Sequence, residues 1–226
     1  MSSAHQFAFA FEHRPSLSGD DFLVAPSNRD AVAWLDAWPS WPTPVLVIHG
    51  PVGSGKTHLG QVFRARTEAI ELPAAALAGP SLAELLATAR EVLIDDADHG
   101  LPEEAVLHLY HAVAARGGHI LLTASRPPAA WDLTLPDLRS RILGASSVAL
   151  GRPADELIKA VLAKLFSDRQ VRIDVDVVEY LARRMERSLS EAQRLVALID
   201  HAALAERRDV TVPFAREVLY RSRMGP

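Results

Sequence analysis

The sequence predicts an α/β nucleotide-binding domain on a five-stranded parallel sheet, followed by a small all-helical domain. Three observations carry this. The apolar, β-branched run Val45-Leu46-Val47-Ile48-His49 feeds directly into Gly50-Pro51-Val52-Gly53-Ser54-Gly55-Lys56-Thr57, the G-x-x-x-x-G-K-T spacing of a phosphate-binding loop between a strand and a helix. Strand-like and helix-like runs alternate as far as Arg152, the pattern of a parallel sheet with helices on its faces. Beyond Gly151-Arg152-Pro153 the strand-like runs stop and amphipathic helical patterns take over. The domains expected are an extended tail over residues 1–15, the nucleotide domain over 16–152 and the helical domain over 153–226.

The elements follow in order. In the tail, Gln6-Phe7-Ala8-Phe9-Ala10-Phe11 alternates large apolar with small residues before Arg14-Pro15 breaks the pattern. Residues 28–38 read as a helix ended by Pro39 and Pro42. Residues 45–49 are the first strand and 56–66 a helix; residues 69–72 read as a second strand, and 81–90 as a helix capped by Ser81. Val92-Leu93-Ile94-Asp95-Asp96 is a third strand ending in two acids. The helix over 102–116 opens on a proline, where a missing N–H costs nothing, and stops at Gly117-Gly118. Residues 120–124 and 147–150 complete the strands, and helices over 154–167, 175–187, 190–207 and 213–221 make the C-terminal domain.

Composition narrows the class. A hydrophobic share of 49% supports a sizeable core, and no apolar run approaches the roughly 18 residues of a membrane span, so no membrane association is expected. The N-terminus lacks the basic segment and cleavage site of a signal peptide. With no cysteine, disulfides and thiolate metal sites are excluded, and a reducing cytoplasm is the expected compartment. A net charge of −4 without a long basic run argues against general attraction to nucleic acid.

The glycines at 50, 53 and 55 let successive backbone N–H groups turn inward toward phosphate oxygens, with the helix N-terminus behind them. Lys56 reaches the β- and γ-phosphates, and the Thr57 hydroxyl is a Mg²⁺ ligand. Asp95, at the carboxyl end of its strand, would hold the same Mg²⁺ through water, and Asp96 would polarise an attacking water. Asp98 reads as a solvated loop residue. Ser125, ending the fourth strand, reads either as a hydrogen-bonding partner of the γ-phosphate or as a plain strand-end turn. Leu135-Pro136-Asp137-Leu138-Arg139-Ser140-Arg141-Ile142 sets two arginines on a short helix, either as surface residues or as reach toward a neighbour's nucleotide. Trp34, Trp38 and Trp41 read as core packing of the first helix rather than a stacking platform. His108 and His111 share a helix face without an acid placed to complete a metal site. Arg183, Arg184, Arg187, Arg207 and Arg208 read as solvated helix faces or partner contacts.

Taken together, these segments resemble the AAA+ ATPases, and within them the bacterial replication initiator DnaA and its shortened relatives, the Hda or HdaA inactivators. Phe22-Leu23-Val24-Ala25-Pro26-Ser27-Asn28-Arg29 is similar to the adenine-side segment of that group, which implies nucleotide contacts from Phe22, Val24 and Asn28. Residues 50–59 resemble its Walker A loop, including His58-Leu59, and Ile94-Asp95-Asp96 its Walker B. Residues 135–142 resemble box VII, which implies an arginine finger at Arg141, with Arg139 the weaker candidate. The helical C-terminal part corresponds to the AAA+ lid.

Two positions depart from that pattern. Ser190 stands where the lid carries the sensor II arginine, with Arg194 one turn later as a substitute, and Ser125 stands where the initiators commonly carry an acid. The sequence ends at Pro226 without the initiators' helix-turn-helix domain, so no sequence-specific DNA binding is expected. For Gln6, Phe7, Phe9 and Phe11, an edge strand folded back on the core competes with docking on the β sliding clamp, and the resemblance favours the clamp. The resemblance thus implies a regulator that binds ATP or ADP with Mg²⁺, has weak ATPase activity of its own, docks on the clamp and stimulates hydrolysis of DnaA-bound ATP. A helicase-loader-type ATPase and a nucleotide-sensing adaptor are the alternatives, and self-association is open.

Overall fold

The computed structural model describes residues 12–14, 22–73, 77 and 88–224. Strands β1 (Glu12–Arg14) and β2 (Phe22–Val24) form a two-stranded sheet, so the end of the expected tail is paired backbone. The clamp-docking candidates Gln6, Phe7, Phe9 and Phe11 lie outside the described residues, as does nearly all of the helix expected over 81–90.

The main sheet comprises β3 (Val45–His49), β4 (Ile70–Pro73), β5 (Glu91–Asp95), β6 (His119–Ala124) and β7 (Ser146–Ala149). Its order is β4-β5-β6-β3-β7 and every neighbouring pair is parallel. Strand alternation divides the core in two. Val45, Val47, Ile94 and Leu122 face the layer holding Val106, Leu109 and Val113 of α3 (Glu103–Ala115) and Leu138 and Ile142 of α4 (Pro136–Leu143). Leu46, Ile48, Leu93 and Leu121 face Ala31 and Leu35 of α1 (Arg29–Asp36) and Leu59 and Phe63 of α2 (Lys56–Thr67). Burial on both faces is why these strands read as unbroken apolar runs.

Helix α1 stops at Asp36, short of the expected Trp38, because the residue before a proline is driven out of the helical region. The tryptophans nevertheless belong to the core. Trp41 stacks on Phe63 with ring centroids 5.5 Å apart, and its indole N–H donates to the Trp34 carbonyl at 2.7 Å.

A second compact unit begins at Arg152. It contains α5 (Asp155–Asp168), α6 (Val175–Ala182), α7 (Leu189–Glu206) and α8 (Val212–Met224). These close around Leu162, Phe166, Leu181, Val196, Ile199 and Phe214. Helix α7 opens on a serine N-cap: the Ser188 hydroxyl accepts the Glu191 N–H at 3.0 Å. Among the described residues, no helix is long and apolar enough to cross a membrane.

Candidate nucleotide-binding site

The loop over residues 50–57 leaves the carboxyl end of β3 and enters α2, where parallel α/β sheets place their ligands. Gly53 and Gly55 have φ of 75° and 104°, values that a side chain resists, and these turns let the loop curl above the helix N-terminus. Gly50 is needed for a different reason. A Cβ there would sit 2.5 Å from the Leu150 carbonyl oxygen, so the loop and the end of β7 approach as bare backbone.

Lys56 is only 6% exposed, and its ammonium donates to the carbonyls of Gly50 at 2.8 Å and Pro51 at 3.1 Å. The lysine therefore lies folded inside the loop. The buried Ser54 hydroxyl has no hydrogen-bond partner, and an orphaned donor in a glycine-turned loop fits a cradle for an oxyanion. Pro51 and the strongly exposed Val52 form the loop's outer rim, and half-buried His58 follows on α2. Burial pushes the His49 imidazole below its ordinary value of 6.5, which favours a neutral ring at the root of the loop.

Strand order brings in the acids. Because β6 lies between β3 and β5, its last turn touches both flanking loops. The Thr57 hydroxyl donates to one Asp95 oxygen at 3.0 Å, and the fully buried Thr123 hydroxyl donates to the other. An adjacent hydroxyl and carboxylate at the mouth of a phosphate loop are donors of the kind Mg²⁺ takes. Thr57 and Asp95 would hold the ion there, and it would neutralise phosphate charge. Asp96 has a left-handed backbone at φ 54°, is exposed, and donates its N–H to Thr123 at 3.1 Å. Thr123 was missed in the sequence. Its signal there is a single hydroxyl inside the apolar strand Ile120-Leu121-Leu122-Thr123-Ala124.

Asp98 corrects the expectation of a solvated loop acid. Its side chain is fully buried and accepts the backbone N–H groups of Ser125 and Arg126, each at 3.0 Å. The carboxylate ties the loop after β5 to the loop after β6 at Ser125 and Arg126. Burial pushes the Asp98 carboxyl up, but those two N–H bonds, together with nearby His99, hold it below its ordinary 3.8. A lowered carboxyl pKa stabilises the fold above its unfolded value, and that contribution is lost as pH falls through the folded value. Asp98→Asn is expected to destabilise the nucleotide domain by about 2 kcal/mol near neutral pH. In urea unfolding, the deficit should shrink as the solution is acidified; an equal deficit in acid would contradict the ionic account.

On the adenine-side segment, the Phe22 side chain lies outside the described residues, and Val24 is half-buried. The Asn28 amide accepts the Ala25 N–H at 2.7 Å and donates to the Leu23 carbonyl at 3.0 Å. Both ends of that amide are committed to main chain, so Asn28 shapes the segment.

Arg141 lies on α4, away from the phosphate loop in sequence and 41% exposed at its side chain. Its guanidinium sits 5.1 Å over the Tyr110 ring, and its Nε donates to Asp137 at 3.3 Å. Hydrogen bonds with Tyr110 and then Asp137 raise its pKa further, so it carries its charge at every working pH. Arg139 on the same helix is exposed. In the helical unit, the Ser190 hydroxyl pairs with Ser188 at 2.8 Å. Arg194, the expected substitute for the missing arginine, is held by Glu191 through two bonds of 2.7 and 2.8 Å. Arg187 pairs with Asp155, Arg184 lies over Tyr180, and Arg208 lies over Phe214, so these three have specific partners.

Comparison with known proteins adds to this geometry. Residues 155–219 match the family described as Hda, lid domain. An uncharacterized protein of Haemophilus influenzae is 28% identical over 188 residues, which cover 78% of this chain and 81% of that one. Domain III of the replication initiation protein DnaA from Thermotoga maritima superposes with a TM-score of 0.78 at 19% identity, over 88% of this chain and 93% of that one. AMPPCP-bound DnaA from Aquifex aeolicus superposes with a TM-score of 0.66 at 20% identity, over 84% of this chain and 66% of that one. The structural likenesses establish the fold, and the lid match concerns residues 155–219.

Proposed function

We propose that the chain is a DnaA-related AAA+ protein and a negative regulator of replication initiation acting on DnaA-bound ATP, a reading supported by the match of residues 155–219 to the Hda lid domain and by the DnaA-like fold. The observation that carries this reading is the lid match over residues 155–219, since the α/β fold by itself is shared with initiators and other AAA+ proteins. In this reading the loop over residues 50–57 binds adenine nucleotide, the class to which the AMPPCP of the Aquifex DnaA belongs. Gly50, Gly53 and Gly55 shape the cradle, Lys56 leaves its two loop carbonyls for phosphate oxygens, and Thr57 and Asp95 hold Mg²⁺. The nucleotide sets the conformation of the regulator, with ADP as the working ligand. Ser190 in place of the sensor II arginine, and Ser125 in place of an acid, make its own hydrolysis by Asp96 secondary.

The chemistry then happens in the partner. Arg141, permanently charged and exposed, stabilises charge that develops on the phosphates of DnaA-held ATP. The segment Gln6, Phe7, Phe9 and Phe11 docks on the β sliding clamp in the cytoplasm and limits this action to DNA carrying a loaded clamp. Capture on immobilised sliding clamp tests the docking. The native chain should be retained, and the double variant Gln6→Ala/Phe9→Ala should lose retention by at least about tenfold, an aromatic anchor being worth roughly 1.4 kcal/mol or more. Equal capture of both would remove the clamp from the proposal.

A further inference from the structure

We propose that Tyr110 is a positioning residue for Arg141, its ring fixing the guanidinium ahead of any encounter with DnaA. This rests on the reading of Arg141 as the residue presented to DnaA-bound ATP. The two residues lie on different helices, Tyr110 on α3 and Arg141 on α4, and the guanidinium carbon is 5.1 Å from the ring centre. Tyr110 is a firm support. It is half-buried, packs against the cluster that includes Leu109, Leu138 and Ile142, and makes an edge contact with His111 at 5.6 Å. The helices are tied together independently. The Glu103 carboxylate, in the first turn of α3, accepts the backbone N–H of Thr134 at 2.9 Å and its hydroxyl at 2.9 Å, and also the N–H of Leu135, the N-cap of α4.

Arg141 is thus restrained on two sides, by Asp137 at its Nε and by the Tyr110 side chain, whose ring centre lies 5.1 Å from the guanidinium carbon. A long exposed side chain otherwise samples many rotamers, and each must be given up when it enters a partner's site. Pre-ordering raises the fraction of encounters in which the cation is correctly placed, without adding a contact to DnaA.

The test is single-turnover hydrolysis of DnaA-bound ATP on clamp-loaded DNA, with the regulator titrated. Tyr110→Leu, which removes the ring, should lower the maximal rate by about fivefold while the half-saturating regulator concentration stays within about twofold. Tyr110→Phe, which keeps the ring and drops the hydroxyl, should restore at least half of the native rate. A native maximal rate in Tyr110→Leu, an effect confined to half-saturation, or equal losses in the Leu and Phe variants would each overturn the proposal. Arg141→Ala separates the layers: if it retains full stimulation, the reading of Arg141 fails and takes this inference with it. A measurement without DnaA stands beside these. The Arg141 Nε–H resonance, assigned by its absence in Arg141→Lys, should be slow to exchange in the native chain and broadened in Tyr110→Leu. An unchanged resonance would overturn the positioning role whatever the fate of the DnaA reading, and thermal melting confirms that each variant is folded.

Discussion

Arg141→Ala is expected to reduce stimulated hydrolysis of DnaA-bound ATP by at least about a thousandfold, the scale on which a guanidinium supplied in trans acts. The chain's own nucleotide affinity and its capture by the clamp should be unchanged. The size of the effect follows from where the charge acts. In the free chain Arg141 is exposed, and its ion pair with Asp137, four residues away on the same helix, adds little to folding. In the proposed partner's site, where water would be excluded and negative charge would grow on the phosphates, the same guanidinium would be worth far more. Arg141→Lys should rescue poorly, since an ammonium offers a point charge where a planar fork is required. Full stimulation by Arg141→Ala would remove the residue from the mechanism.

Lys56→Ala is expected to weaken adenine-nucleotide binding by at least about a hundredfold, close to 3 kcal/mol. The ammonium is buried inside the loop and satisfied only by the carbonyls of Gly50 and Pro51 among its described hydrogen bonds. Phosphate oxygens would replace those neutral acceptors with charged ones, and charge-assisted bonds are roughly twice as strong. Titration with a fluorescent ADP analogue measures the loss, and the stabilisation that ADP confers on thermal melting should vanish with it. Native affinity in this variant would place the nucleotide elsewhere. Under the proposed function, in which the nucleotide sets conformation, Lys56→Ala should also depress stimulation of DnaA, through conformation and not through contact with DnaA's ATP.

Much of the site was legible because its parts are contiguous. Gly50 to Thr57 carry the spacing of a phosphate loop in eight residues, and Asp95 follows a short apolar run that reads as a buried strand. Asp98 was read wrongly for an equally physical reason. An acid just after Asp95 and Asp96 looks like a turn residue, and nothing local announces that the loop after β6 will donate two N–H groups to it. Thr123 gave a faint signal, one hydroxyl in a strand of aliphatics, whose meaning depends on β6 lying between β3 and β5.

The sequence by itself determined the chemistry available: a phosphate loop with its lysine and threonine, acids at a strand end, arginines on a short helix, and an amphipathic helical segment later in the chain. These are properties of residue type and local period, which survive in one dimension. Only the tertiary structure decided which of them meet. The order β4-β5-β6-β3-β7 sets Thr57, Asp95 and Thr123 in one hydrogen-bonded chain, and the packing of α3 on α4 lays Arg141 over Tyr110. The reason is that parallel strands joined by crossovers place side by side the ends of segments far apart in the chain. Proximity there is set by sheet order, which no single segment encodes.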